Sequence, residues 1–220
     1  MRGEPQDRRL AVMLLGCALG AGVLLAASMV LYPGGTWMDA QAHGHDFFRN
    51  FVCDLTQPVA LNGVPNRGAR PAQAGMLLLV GAFLPFWWLM PRLFPEEAKL
   101  GQWVRAAGMV SLAGLVAVPL LPSLVFGKLH AAAVLVASVP ALVAGWLSVR
   151  GLRARPRLQV LGTATVAAAL VDAALYARGV VLGGPTLLAL PALQKVAATG
   201  LLGWMVGVAV VTLRRVTATP

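Results

Sequence analysis

The sequence predicts an all-α polytopic membrane protein, a six-transmembrane-helix bundle with a long outer loop that contains a short interfacial helix. Composition points there first: the 220 residues are 58% hydrophobic and 12% charged, against roughly 45–50% and 25% in a soluble globular chain. The hydrophobic residues also fall in blocks. Leu10–Leu31 carries no charge and as a helix reaches about 33 Å, enough for a hydrocarbon core of roughly 30 Å.

After Leu10–Leu31 the long apolar runs are Ala74–Met90, Ala106–Phe126, Leu129–Val149, Leu158–Tyr176 and Val196–Leu213. They form one integral membrane domain over residues 1–220. Each run is expected to be a helix, because lipid offers no partners to backbone N–H and C=O groups and the period-2 alternation of barrel strands is absent. Pro85, Pro119 and Pro140 fall inside spans, where proline kinks a helix. The 24 glycines suit close approach of helices in lipid. The first span reads as an uncleaved helix, too long for a secretory signal and followed by no convincing cleavage site.

Charge sets the expected orientation. With the N-terminus in the cytoplasm, Arg2, Arg8, Arg9, Arg92, Lys99, Arg105, Arg150, Arg153, Arg155, Arg157, Arg214 and Arg215 lie inside, and Arg49, Arg67, Arg70, Lys128, Arg178 and Lys195 outside. Twelve against six favours cytoplasmic N- and C-termini in the plasma (inner) membrane. The net charge of +10 is then a topology signal, and no nucleic-acid partner is expected, because the basic residues are scattered over short loops.

Residues 32–73 form the outer loop, the one long connection. Phe47, Phe48, Phe51, Val52 and Leu55 share one face of a helix there, and Asp46, Arg49, Asn50, Cys53 and Asp54 the other. This predicts an amphipathic interfacial helix with its phenylalanines toward lipid or the bundle. Asn62-Gly63 and Pro65-Asn66-Arg67-Gly68 supply turns.

The run Asn50-Phe51-Val52-Cys53-Asp54-Leu55, followed by Asn62-Gly63-Val64-Pro65-Asn66, resembles the prokaryotic six-helix membrane proteins grouped as domain of unknown function 998. Their pattern has N-F-x-S-D-L-G after the first helix and an asparagine-bearing segment before the second. Cys53 stands where that pattern has serine, and Thr56 where it has glycine. The resemblance implies six helices and carries over Asn50, Asp54 and Asn66 as functional positions. More remotely, the arrangement is similar to the eukaryotic autophagy-modulator and GPI-anchor-remodelling membrane families, which implies lipids as partners.

The unusual polar residues all fall on the outer side. Asp172 lies within a span, where an ionisable group costs about 2.5–3.5 kcal/mol, and Tyr176 is one turn further on the same face. His130, Gln194 and Lys195 sit at the outer ends of their spans. Asp172 has two readings: an ion pair with Lys195 or Arg178, or a polar group facing a pocket. Asn50, Asp54, Asn62, Asn66, Arg67, His130, Asp172, Tyr176, Gln194 and Lys195 are therefore the candidate ligand-binding residues, expected to fold over the bundle mouth around a lipid or small amphiphile. One alternative is a metal-dependent intramembrane lipid hydrolase using His43, His45, Asp46 and His130, whose side-chain types suit zinc. A small-molecule transporter is the other. No HExxH, CxxC, nucleophile elbow or phosphate-binding loop occurs, and no cofactor is called for.

Overall fold

The computed structural model describes residues 4–183 and 189–218. Among the described residues the regular structure is helical, with six long helices: α1 (Glu4–Leu31), α2 (Ala69–Leu89), α3 (Ala98–Leu120), α4 (Lys128–Gly151), α5 (Pro156–Tyr176) and α6 (Leu190–Ala218). All six are long and apolar enough to cross a membrane. Pro85, Pro119 and Pro140 lie inside α2, α3 and α4. Most of the helices outrun the apolar stretches that predict them; α3 instead stops at Leu120, short of the expected Phe126, because Pro122 follows and Ser123–Phe126 form a separate short helix. α2 starts at Ala69 and α6 at Leu190, so Gln194 and Lys195 stand on the first turns of α6 rather than before it. Arg2, counted in the charge balance, lies outside the described residues.

Helix order follows the chain around a ring. α1 packs on α2 and α3 on α4 over long contacts, α5 packs on α6, and α6 returns to α1. Sparser contacts join α2 to α3 and α4 to α5, which sets the α3–α4 hairpin somewhat apart. Small residues make the tightest approaches. A Cβ on Gly114 would stand 2.4 Å from the Ala137 backbone nitrogen, and one on Gly108 would stand 2.3 Å from the Trp87 ring.

The two ends of the bundle differ. At the end opposite the loop, Phe86, Trp87, Leu89, Met90, Phe94, Val104, Trp204 and Met205 form a dry core, with the Phe86 and Trp204 rings 5.4 Å apart. That end is stapled by an Asp7–Arg92 ion pair, by Arg215 Nη1 donating to the Arg92 carbonyl at 2.9 Å, and by the Arg105 guanidinium 4.4 Å over the Trp88 ring. Apolar side chains such as Val23, Val30, Val110 and Val160 face outward on the helices, a surface that suits lipid rather than water.

The interfacial helix expected over the phenylalanine-rich stretch does not form as one amphipathic unit. A turn at residues 47–49 is followed by a separate 3₁₀ helix, Val52–Thr56. The polar positions also turn inward, against the expectation: Asn50 and Asp54 are fully buried, while Phe47 and Phe48 are exposed, as phenylalanines expected to face lipid would be. The cause is local competition for the backbone. Asn50 Oδ1 accepts from the Asp46 N–H at 2.9 Å and Asp54 Oδ2 from the Phe51 N–H at 2.7 Å. Asn and Asp side chains used this way replace helical hydrogen bonds with turns.

Candidate functional site

The loop forms a lid held by buried polar side chains. Gly34 and Gly35 open it with φ of 138° and 85°, and a Cβ on Gly35 would lie 2.3 Å from the Asn62 backbone nitrogen, so only glycine fits this crossing. The Gly35 carbonyl accepts from Asn50 Nδ2 at 2.8 Å and from the Tyr32 hydroxyl at 3.4 Å. Asp54 is the hub: besides Phe51, its carboxylate accepts from Trp37 Nε1 at 3.1 Å and Asn50 Nδ2 at 3.4 Å. Burial pushes the Asp54 carboxyl above the usual carboxylate range, partly offset by those three donors and by the nearby Lys195 charge. Asn66 braces the far side of the loop, donating to the carbonyls of Leu55 and Gln57 at 2.9 Å each and accepting from the Gly68 N–H.

Two residues of α6 fasten this lid to the bundle. Lys195 is buried and donates to the carbonyls of Phe47 at 2.8 Å, Asn50, and Pro191 at 3.2 Å. Gln194 Oε1 accepts the Val52 N–H at 2.8 Å. A third fastening joins Gln57 Nε2 to Ser123 Oγ at 2.8 Å, in the α3–α4 connection. His45 meets the Tyr32 ring edge-on, 6.1 Å between centroids, and burial together with Lys195 pushes its imidazole down to about 4.

Beneath the lid lies a cavity of about 280 Å³ walled by α2 to α6. Its loop end carries Asp172, Tyr176 and Gln194, and its base is Phe83, Trp87 and Trp204. Gln194 belongs to both levels, touching the lid with its carbonyl oxygen and lining the cavity. The aromatic base merges into the dry core, so this cavity does not continue as a polar path toward the opposite end.

The predicted site residues thus separate. Asn50, Asp54, Asn66, Gln194 and Lys195 come together in the lid, and Asp172, Tyr176 and Gln194 below it. The ion pair considered for Asp172 is not formed: among the described residues the ion pairs are Arg49–Asp46 and Arg92–Asp7, Lys195 is taken up by carbonyls, and Arg178 is exposed. His130 is buried with Nδ1 2.6 Å from the Leu121 carbonyl, which caps the end of α3 and leaves the histidine off the cavity wall. Asn62 Oδ1 accepts the Val64 N–H within its own turn, and Arg67 is exposed; neither joins the others. His43 is exposed, and Asp46 accepts from the N–H groups of Phe48 and Arg49. Among the described residues no three His, Cys, Asp or Glu side chains gather as a metal ion requires, so His43, His45, Asp46 and His130 do not form a ligand set. Trp37, Gln57 and Gly35 escaped the sequence reading. A lone tryptophan in a polar loop beside a Gly-Gly pair was the available signal for two of them.

No protein-family model, curated protein or solved structure matches the chain.

Proposed function

We propose that this chain is a multi-pass membrane protein, with both termini in the cytoplasm, that holds one small amphiphile or a single lipid chain in its bundle beneath the lid. The cavity carries this reading. At about 280 Å³ it is roughly twice the ~150 Å³ void that accommodates benzene, yet at the lower edge of the ~300–1,000 Å³ of drug-sized pockets. That volume favours one chain over a whole two-chain phospholipid. A polar end at Asp172, Tyr176 and Gln194 above an apolar, aromatic body matches a ligand with one polar head. The remote resemblance to lipid-handling membrane families runs in the same direction. The aromatic base favours binding over transport.

Native mass spectrometry of protein purified in a mild non-ionic detergent tests the reading. An adduct with the mass of a lipid or amphiphile is expected on the wild type and not on Ala198→Trp, which places an indole in the cavity. Wild-type protein free of adducts, or adducts equally abundant on Ala198→Trp, would sink the reading.

A further inference from the structure

The cavity wall holds an acidic side chain with nothing to balance it. Asp172 is half-buried on α5 and lines the cavity, and no Lys, Arg or His is among the residues that line it with Asp172. Arg178, the nearest cation by sequence, is exposed, and Lys195 points up into the lid and spends its three donors on the carbonyls of Phe47, Asn50 and Pro191. Among the described residues Asp172 has neither an ion-pair nor a hydrogen-bond partner. A carboxylate in so apolar a place is costly when unpaired, and the cost falls when an opposite charge comes within reach. The chain does not supply that charge, so the occupant has to.

The surroundings suit a cation in particular. Tyr176, one turn beyond Asp172, offers a phenolic oxygen at the same end, and the Phe83, Trp87 and Trp204 rings present faces that attract ammonium groups and also pack against hydrocarbon. An anionic head, whether carboxylate or phosphate, would meet Asp172 as a like charge. Resting on the amphiphile-binding reading, we infer that the cavity selects a monocationic amphiphile, an alkyl or aryl ammonium whose charge lies against Asp172 and whose apolar body fills the space down to Trp87 and Trp204.

Three probes of equal chain length decide this: octyltrimethylammonium, octyl sulfate and octanol, titrated into the full chain in neutral maltoside micelles. Tryptophan fluorescence reads binding, since Trp87 and Trp204 form the cavity base. Partition into micelles is shared by all variants, so ratios between variants isolate the protein. The ammonium is expected to bind at least about tenfold more tightly than the sulfate, and Asp172→Asn is expected to erase that preference while leaving octanol unchanged. If Asp172→Asn does not fold, the blocked Ala198→Trp protein serves as the reference for cavity binding. Equal binding of all three probes, or a preference that survives in Asp172→Asn, overturns the cation assignment and leaves amphiphile binding standing. Failure of all three to bind overturns both.

Discussion

At the scale of single residues, the lid depends on two side chains whose loss strips buried partners of hydrogen bonds. Lys195→Met keeps the bulk of the stem but abandons three carbonyl oxygens at once. Since hydrogen bonds to charged donors are worth about 1.5–3 kcal/mol each and partly overlap, a loss on the order of 3 kcal/mol is expected, read as a lowered midpoint in thermal unfolding. Asn50→Ala leaves the Asp46 N–H without its acceptor and the Gly35 carbonyl with only the long bond from the Tyr32 hydroxyl and is expected to cost about 1–3 kcal/mol; hydrogen exchange should place that loss in residues 34–57, with α1 to α6 unchanged. The pH response has two opposed parts. His45 is held neutral down to about 4 from an ordinary 6.5, so on acidification through that window the unfolded lid takes up a proton that the folded one refuses, and lid stability falls. Asp54, raised by burial, keeps its proton longer in the folded lid. Its contribution is therefore present at low pH and fades as pH rises through its folded value. His45→Asn should abolish the loss between pH 6.5 and about 4; an unchanged acid limb in the melting profile would show that His45 is not its source.

At the scale of helices, two glycines that look alike in sequence have opposite roles. Gly114 lies where α3 meets α4, and a Cβ there would fall 2.4 Å from Ala137 N. Gly114→Val must push the two helices apart and is expected to cost 1–3 kcal/mol or more, roughly as overpacking does. Gly16 on α1 has nothing within 4 Å of its Cβ position, so Gly16→Ala should be neutral or stabilising by up to about 1 kcal/mol. Thermal melts of the two variants side by side test the contrast. The spans were legible because a hydrocarbon-matched helix is written in local composition. Their ends were less so: the runs beginning at Ala74 and Val196 mark apolar stretches, whereas α2 and α6 start at Ala69 and Leu190 because polar residues such as Arg70 and Gln194 are equally content in a helix.

At the scale of the molecule, alternating helices bring the N- and C-termini to one end and the lid to the other, and packing is distributed accordingly. The end with the termini is a solid aromatic core; the cavity lies toward the lid end, walled by the helices. In the orientation proposed from the arginine and lysine balance, a cysteine at Asn62 in a Cys-free background is expected to react with an impermeant thiol reagent applied from outside whole cells. One at Ala154 should react only after the membrane is opened, and the reverse pattern would invert the proposed topology.

Sequence by itself determined the all-helical class, six helices long and apolar enough to cross a membrane, the long loop and the concentration of unusual polar residues at one end. Each of these follows from local quantities: hydropathy over a window, charge in short connections, turn residues beside apolar runs. Only the tertiary structure decided how those polar residues divide. Lys195 could have paired with Asp172, one helix away, yet it reaches carbonyls 145 and 148 residues back in the chain, because the lid turns its backbone oxygens inward and buried carbonyls must find donors. Asn50 and Asp54 could have formed the wet face of a surface helix, yet they are the interior of the lid, because their side chains bond nearby N–H groups and the Gly34-Gly35 crossing closes over them. Asp172 is thereby left alone on the wall of the cavity, a consequence of contacts made far from it in the chain and so beyond the reach of any local pattern.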